Sequence, residues 1–358
     1  MAYTTIDKPT DYFNTVLFNG NGSTQSITGV GFQPDFVWGK ARSGTDAVYN
    51  HQVFDVIRGA TKHLRPNNNT AEGTLTNSLT SFDSDGFSLG NDGHMNLSGN
   101  ANVAWNWLAG GSASSNTDGS ITSNVSANTT SGFSIVSYTG TGSATTVGHG
   151  LGSAPSMIIV KNRDSGTDIW TVYHVGTDAS IPQNKFMQLD DTSAVTDSTL
   201  PWNDTAPTSS VFTIGTYSST NGSSQNMIAY CFAEKKGYSK FGSYTGNGDS
   251  SGNGPFIYTG FKPAWIMIKN ASTGSSYWLM VDNKRDTFNV TTKKLYANIN
   301  NGEFDDTHYN FDFLSNGFKL KSTSTTTNYN NSGDTYIYMS FAESPFVTGA
   351  SGIPTTAR

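Results

Sequence analysis

The amino-acid sequence predicts an all-β protein built of three tandem, mutually similar β-sandwich domains of jelly-roll type. Three observations carry the prediction. Only 13% of the 358 residues are charged, Gly is abundant at 38, and Ser, Thr and Asn fill the gaps between short apolar runs; Gly, Asn and Thr are poor helix formers. No long stretch rich in Ala, Leu, Glu and Lys keeps a 3.6-residue period. Six short marks recur three times in the same order, the sign of an internally repeated architecture.

The first mark is a strand ending in a glycine turn: VLFNGNG (16–22), VSYTGTG (136–142) and GSYTGNG (242–248). The second is a proline followed six residues later by a lysine, with an apolar run between: Pro34 to Lys40, Pro155 to Lys161 and Pro263 to Lys269. Proline cannot donate to a ladder and suits a strand's first residue. The lysine is expected to end the strand and carry its charge back to water. SMIIV (156–160) is apolar throughout, so this strand should be buried on both faces. A polar turn and an aromatic strand follow: DAVYN (46–50), DIWTVYH (168–174) and SYWLMVD (276–282). Next come TKHL (61–64), NKFMQL (184–189) and KKLYAN (293–298), then GFSLG (86–90), VFTIG (211–215) and GFKLK (317–321). The last strand is NVAWNWLAG (102–110), MIAYCFAEK (227–235) and YIYMSFAES (336–344), which aligns Trp107, Phe232 and Phe341. Large residues at alternate positions in it fit one buried face.

These marks divide the chain into repeats at 1–111, 132–236 and 237–346, with a tail at 347–358. Residues 112–131, rich in Gly, Ser, Thr and Asn, read as a linker, in which SITSNVSAN can add an edge strand. The second and third repeats join with almost no spacer and should pack closely.

Composition narrows function. A net charge of −6 without a basic block argues against nucleic-acid binding. The single Cys231 excludes an intrachain disulfide and a Cys-rich zinc site. No run nears the ~18 apolar residues of a membrane span, and the start lacks the basic and apolar segments of a secretory signal. No metal or cofactor is expected. GDSSG (248–252) matches a serine-nucleophile pattern but sits in a Gly-rich loop with no helix after it, so it reads as a hairpin loop. DSDG (83–86) lacks the other ligands of a calcium loop and reads as a turn. Glu234 and Glu343 are equivalent residues of different repeats, where the first has Ala109; a scaffold role fits them better than paired-carboxylate catalysis. No constellation for a reaction emerges, and a non-enzymatic protein is expected.

Side chains shared by all repeats serve the fold, so recognition is sought in the loops that differ, 65–80, 190–208 and 299–315. The candidate ligand-binding residues are Asp190, Asp191, Trp202, Asp204, Asp305, Asp306, His308, Tyr309 and Tyr329. Aromatics beside Asp, Asn or His hold sugar rings by stacking plus hydrogen bonds; the competing role for Trp202, Tyr309 and Tyr329 is that of aromatic lids over the cores. The acidic pairs are expected to face water.

The phrases GSTQSITGVGFQPDFVWGKARSG, FDVIRGATKHLRPN, TVGHGLGSAPSMIIVKNRD and YIYMSFAESPFVT resemble a repeated domain of unknown function in virion proteins of marine tailed phages, and the likeness covers nearly the whole chain. The second repeat departs from it with Ser153 and Ala154 before its proline. The resemblance implies a virion structural protein, made in the host cytoplasm and released by lysis. A tail-fibre or appendage component attaching to host surface glycans is the leading expectation. A capsid decoration protein is the alternative, and a glycan-degrading tailspike the weaker one. The partners implied are other virion proteins and host polysaccharide. Closed symmetry favours a homo-oligomer such as a trimer, or three in-chain repeats that themselves match a threefold site.

Overall fold

A computed structural model describes residues 3–43, 49–322, 329–349 and 352–356. The protein is nearly all β, with several antiparallel sheets. Among the described residues the α-helices are the single turns Gly93–Asn96 and Ser218–Asn221, and no helix is long and apolar enough to cross a membrane.

One strand order occurs three times. In the first repeat Phe13–Asn19 pairs with Ala101–Trp107, which pairs with Phe36–Ala41, which pairs with Gln52–Asp55. The second repeat uses Phe133–Thr139, Asn226–Phe232, Met157–Asn162 and Thr171–His174 in the same order, then Lys185–Gln188. The third uses Ser239–Thr245, Thr335–Pro345, Phe261–Asn270, Leu279–Asp282 and Lys293–Tyr296. A small sheet lies over each large one, built on Gly86–Leu89, Val211–Ile214 and Gly317–Leu320. DAVYN lies mostly outside the described residues; the first repeat's strand at this place is Gln52–Asp55.

The repeated glycine turn has a steric cause. A Cβ on Gly20, Gly140 or Gly246 would sit 2.1–2.3 Å from the carbonyl oxygen of Leu97, Gly222 or Asn331. The next glycines, Gly22, Gly142 and Gly248, have φ of 70–72°, where other L-residues are strained. One asparagine pins each turn: Asn96, Asn221 and Asn330 accept from the backbone N–H of Asn21, Thr141 and Asn247 at 2.6–3.0 Å.

The segment 112–131 is not a free linker. Ser114–Asn116 and Ser123–Asn128 extend the second sheet beyond Phe133–Thr139. Val125 is buried against that repeat's core and the Ser123 hydroxyl donates to the Gly148 carbonyl, so the strands cover an otherwise open edge. Pro263 also departs from expectation. It lies within the strand Phe261–Asn270, at a register shift, where a bulge tolerates the missing N–H.

The proline–lysine strands are buried on both faces, as SMIIV indicated. Ile158 and Val160 face the small sheet, while Met157 and Ile159 face inward. The lysines correct the expectation. Lys40, Lys161 and Lys269 are fully buried and point inward with the latter set. Lys161 Nζ donates to the Ser165 and Asp168 carbonyls at 3.0 and 2.8 Å. Lys269 Nζ donates to Asn270 and, in the second repeat, Thr192, and Lys40 Nζ to Ala41. The strand ends in protein rather than water: Lys269 is met by another repeat through Thr192, and Lys161 by carbonyls of its own repeat.

All three inward faces meet in one core, which runs from Ile6 and Phe13 through Trp107, Tyr230 and Phe232 to Trp265 and Phe341. The repeats expected as a string of domains thus share an interior. Phe341 packs edge-on to Trp107 and Phe232, at centroid distances of 5.6 and 6.1 Å. The seams between repeats follow one pattern. The Glu72 N–H donates to the Arg163 carbonyl, Glu303 to Arg42, and Val195 to Ala271, at 2.8–3.0 Å. The rings of Trp170, Trp278 and His51 bond the carbonyls of Arg65, Gln188 and Tyr296. The second repeat therefore meets the first, the first meets the third and the third meets the second, closing a ring with approximate threefold symmetry.

Two seams add buried charge. Arg58 and Asp55 pair in the first repeat with no side-chain exposure, Arg58 also reaches Glu72, and Tyr230 of the second repeat donates to Asp55. Arg163 then grips Glu72 with two hydrogen bonds of 2.9 and 3.0 Å. The third repeat matches this with Asp282, Arg285 and Glu303, joined by Trp105 and Arg42 from the first.

Two outcomes follow from the buried charges. Burial lowers the Lys40 ammonium to about 7 and those of Lys161 and Lys269 to about 8, against 10.5 for a solvated lysine. Between those values and 10.5 the unfolded chain binds the extra protons, so stability should rise with pH. Each lysine contributes at most about 1.4 kcal/mol per pH unit. The urea midpoint should climb from pH 7 to 9.5, and Lys40→Met should flatten the slope; a level wild-type profile would contradict the burial. Separately, Arg58→Met leaves the buried Asp55 without its cation, while Arg163 still holds Glu72, and should cost ~3–5 kcal/mol in urea unfolding; a loss below about 1 kcal/mol would show that the network does not hold its seam.

Candidate ligand surface on the third repeat

The sequence candidates separate into two sets. Asp305, Asp306, His308, Tyr309 and Tyr329 come together on the third repeat, around the short ribbon formed by Lys293–Tyr296 and Phe304–Asp305. The turn after it folds back because Asp306 Oδ1 accepts from the His308 backbone N–H at 2.8 Å and lies 3.0 Å from His308 Nδ1. Lys294, buried beneath, donates to the Asp306 carbonyl at 2.5 Å and sits 5.5 Å from the Tyr309 ring centre. Tyr309 stands edge-on to Tyr329 at 5.9 Å. Tyr296 and Phe304 extend the surface at 5.5 Å, and Tyr277 lies 5.1 Å from Tyr296.

Electrostatics follow from this layering. Burial lowers the Lys294 ammonium to about 8, opposed by Asp306. Burial raises the Asp306 carboxyl, but the His308 N–H and the Lys294 charge outweigh it and leave it below the usual range. Burial pushes the Tyr296 phenol up to about 12. Tyr277 and Phe304 are more than a third exposed, and His308 and Asp305 are exposed beside them. The result is an apolar shelf bordered by a carboxylate and an imidazole, which suits stacking on a ring that also carries hydroxyls.

Tyr329 is a lid. It is buried, belongs to the outer core of the third repeat, and its carbonyl accepts from the Tyr244 hydroxyl at 2.8 Å. Trp202 is the corresponding correction in the second repeat: it is buried, edge-on to Tyr173 at 5.9 Å, and presents no face to solvent. Its neighbour Asp204 is exposed at φ 47° in the turn that positions it. Asp190 is half-buried, accepts from the Trp170 N–H at 3.1 Å, and is raised by burial to about 6. Asp191 is exposed and caps the Ser193 N–H. Among the described residues, no hydrogen bond or ring contact joins these four to the group around Asp306. The residues missed from the sequence are Lys294, Tyr277, Tyr296 and Phe304. Phe304 lies within the divergent loop 299–315, and Tyr277 and Tyr296 in strands read as core.

Of the other motifs, GDSSG forms a tight loop in which Asp249 accepts from the backbone N–H groups of Ser251 and Asn253. Glu234 pairs with Lys240 and Glu343 with Lys262. Among the described residues no group of three or more His, Cys, Asp or Glu could hold a metal ion.

The fold and this surface define an all-β, internally repeated protein with a surface-exposed aromatic shelf. The chain belongs to the family described as a domain of unknown function (DUF7483), whose model matches residues 8–345, across all three repeats. Nothing among curated proteins matches it.

Proposed function

We propose that this chain is a non-enzymatic structural protein of a phage virion, a tail-fibre or appendage component that attaches to glycans on the host surface. The aromatic shelf of Tyr277, Tyr296, Phe304 and Tyr309, bordered by Asp305 and His308, supports this reading. Its rigid base of Lys294 and Asp306 holds the shelf in place before a ligand arrives, which reduces the ordering cost of binding. The virion setting rests on the resemblance of the repeated phrases, and the residue-poor charge of the surface suits a particle exposed to its environment.

One observation favours a second reading. Three repeats closed into a ring fit a threefold position on a capsid, where a single chain would decorate the head. A binding comparison separates the two. Purified protein is applied to immobilised bacterial surface polysaccharides and, in parallel, sedimented with empty phage heads. Retention on at least one polysaccharide, weakened roughly threefold to tenfold by Tyr309→Ala, is expected. Sedimentation with heads and no retention on any polysaccharide would replace the appendage reading with the decoration one.

A further inference from the structure

Each repeat has one edge strand on its small outer sheet, and the three copies of that edge are treated in three ways. The central residue, Ile27, Val147 or Ile257, pairs with Phe87, Phe212 or Phe318 and is buried. Its neighbours are therefore equivalent: Ser26 and Thr28, Thr146 and Gly148, Phe256 and Tyr258. In the third repeat the Pro255 carbonyl accepts from the Leu320 N–H at 3.1 Å, and the Thr259 N–H donates to the Asn316 carbonyl at 3.0 Å. Alternation along the strand then turns the N–H and C=O groups of Phe256 and Tyr258 away from the sheet.

The second repeat covers this edge with its own chain. The Thr146 carbonyl accepts from the Ile121 N–H at 3.3 Å, Ile121 bridges to Val147, and the Gly148 carbonyl accepts from the Ser123 hydroxyl at 2.8 Å. The cover crosses so closely that a Cβ on Gly148 would sit 1.6 Å from Asn116 Oδ1. Among the described residues no strand covers the edge in the first or third repeat. The first presents Ser26 and Thr28 to water, both exposed. The third presents Phe256 and Tyr258, 48% and 54% exposed.

A water-facing edge does not call for two aromatics, and an exposed apolar edge strand is a template for pairing with another chain. Tyr258 at the place of Gly148 excludes a cover that crosses as segment 116–121 does. The occupant must lie alongside, side chain against side chain. The edge itself has the required form. Its two outward residues flank Ile257, so a twofold axis at Ile257 sets Phe256 of one copy opposite Tyr258 of the other, as a pair that exchanges both backbone hydrogen bonds. Symmetry repeats the pair, giving about four such bonds and a Phe–Tyr contact on each side of the axis. Lys319 lies opposite Phe256 and beside Asp312, and Gly317 lies opposite Tyr258. No like charges in these strands meet across the axis.

We infer that the outer edge strand of the third repeat is a self-association site, at which two copies of the chain join their small sheets into one antiparallel sheet about a twofold axis. Such an interface closes at two copies. It is small and belongs to the weak, reversible class. It shares no residue with the aromatic shelf and does not depend on the glycan reading.

The test is sedimentation equilibrium of the full chain from roughly 10 to 300 µM. The weight-average mass should rise from one chain toward two and no further. Phe256→Ser combined with Tyr258→Thr, which installs polar residues like those of the first repeat, should weaken association at least ~tenfold with the melting temperature unchanged. Tyr258→Pro removes an N–H that faces away from Gly317–Leu320, a place where an edge strand tolerates proline. It should weaken association to a similar degree, whereas Tyr258→Phe should preserve it. Under air oxidation, a mixture of Phe256→Cys and Tyr258→Cys chains should form linked dimers faster than either variant alone, because only the mixture sets two thiols opposite one another at about 5.5 Å between Cα atoms; the native Cys231 is buried. A single-chain mass throughout, growth beyond two copies, association unchanged by both the double variant and Tyr258→Pro, or equal linking rates would overturn the inference.

Discussion

The shared core is the constraint from which the rest of the molecule follows. Each large sheet has apolar side chains on both faces, and its small sheet covers only one. The inward face must be buried by something else, and the other two repeats supply it. Trp107, Phe232 and Phe341 come from three strands more than a hundred residues apart in sequence and lie within one core. A repeat taken alone would expose this face as an apolar patch well beyond what a soluble monomer tolerates. Three such faces can satisfy one another without a free edge only by closing a ring.

What the seams have in common shows which interactions set that geometry. All three carry a backbone hydrogen bond after the buried lysine and a ring nitrogen on a carbonyl. Among the described residues, Arg–Glu and Arg–Asp pairs occur at two of them. At the third, Val195 and Ala271 stand where Glu72 and Arg163 stand elsewhere, and His174 occupies the place of Asp55, bonding the Tyr338 carbonyl at 3.0 Å. The same geometry is reached with and without the buried Arg–carboxylate pairs. The charges therefore do not create the seam. Once buried, they must remain paired, because one left alone costs far more than the pair contributes.

Much of this fold was legible in the sequence, and the limits of that reading have a common origin. Strand positions, the glycine turns and the equivalence of the repeats depend on local sterics and period-two alternation, which a sequence displays directly. The fate of Lys40, Lys161 and Lys269 does not. Alternation says that they lie on the same face as Met157 and Trp265, but not what covers that face, because the cover comes from loops distant in sequence or, for Lys269, from another repeat. Trp202 and Tyr329 show the same difficulty in reverse: a polar neighbourhood such as LPWNDTAP fits a ligand shelf or a lid, and only packing decides. Within the candidate surface, Asp305, Asp306, His308 and Tyr309 stood out because their loop differs between repeats. Lys294, Tyr277 and Tyr296 were hidden because their strands do not.

That last distinction makes internal repetition a physical control. Three copies of one sheet system must each solve the same burial problem, so each position carries two built-in comparisons. Where all three agree, as in the pinning asparagines Asn96, Asn221 and Asn330, the residue serves the fold. Where the copies differ, the difference marks what individual seams carry: Glu72 and Glu303 pair with Arg163 and Arg42 at two seams, while Val195 meets Ala271 at the third. Repetition thus separates the backbone bond that every seam needs from the ion pairs that only some of them hold.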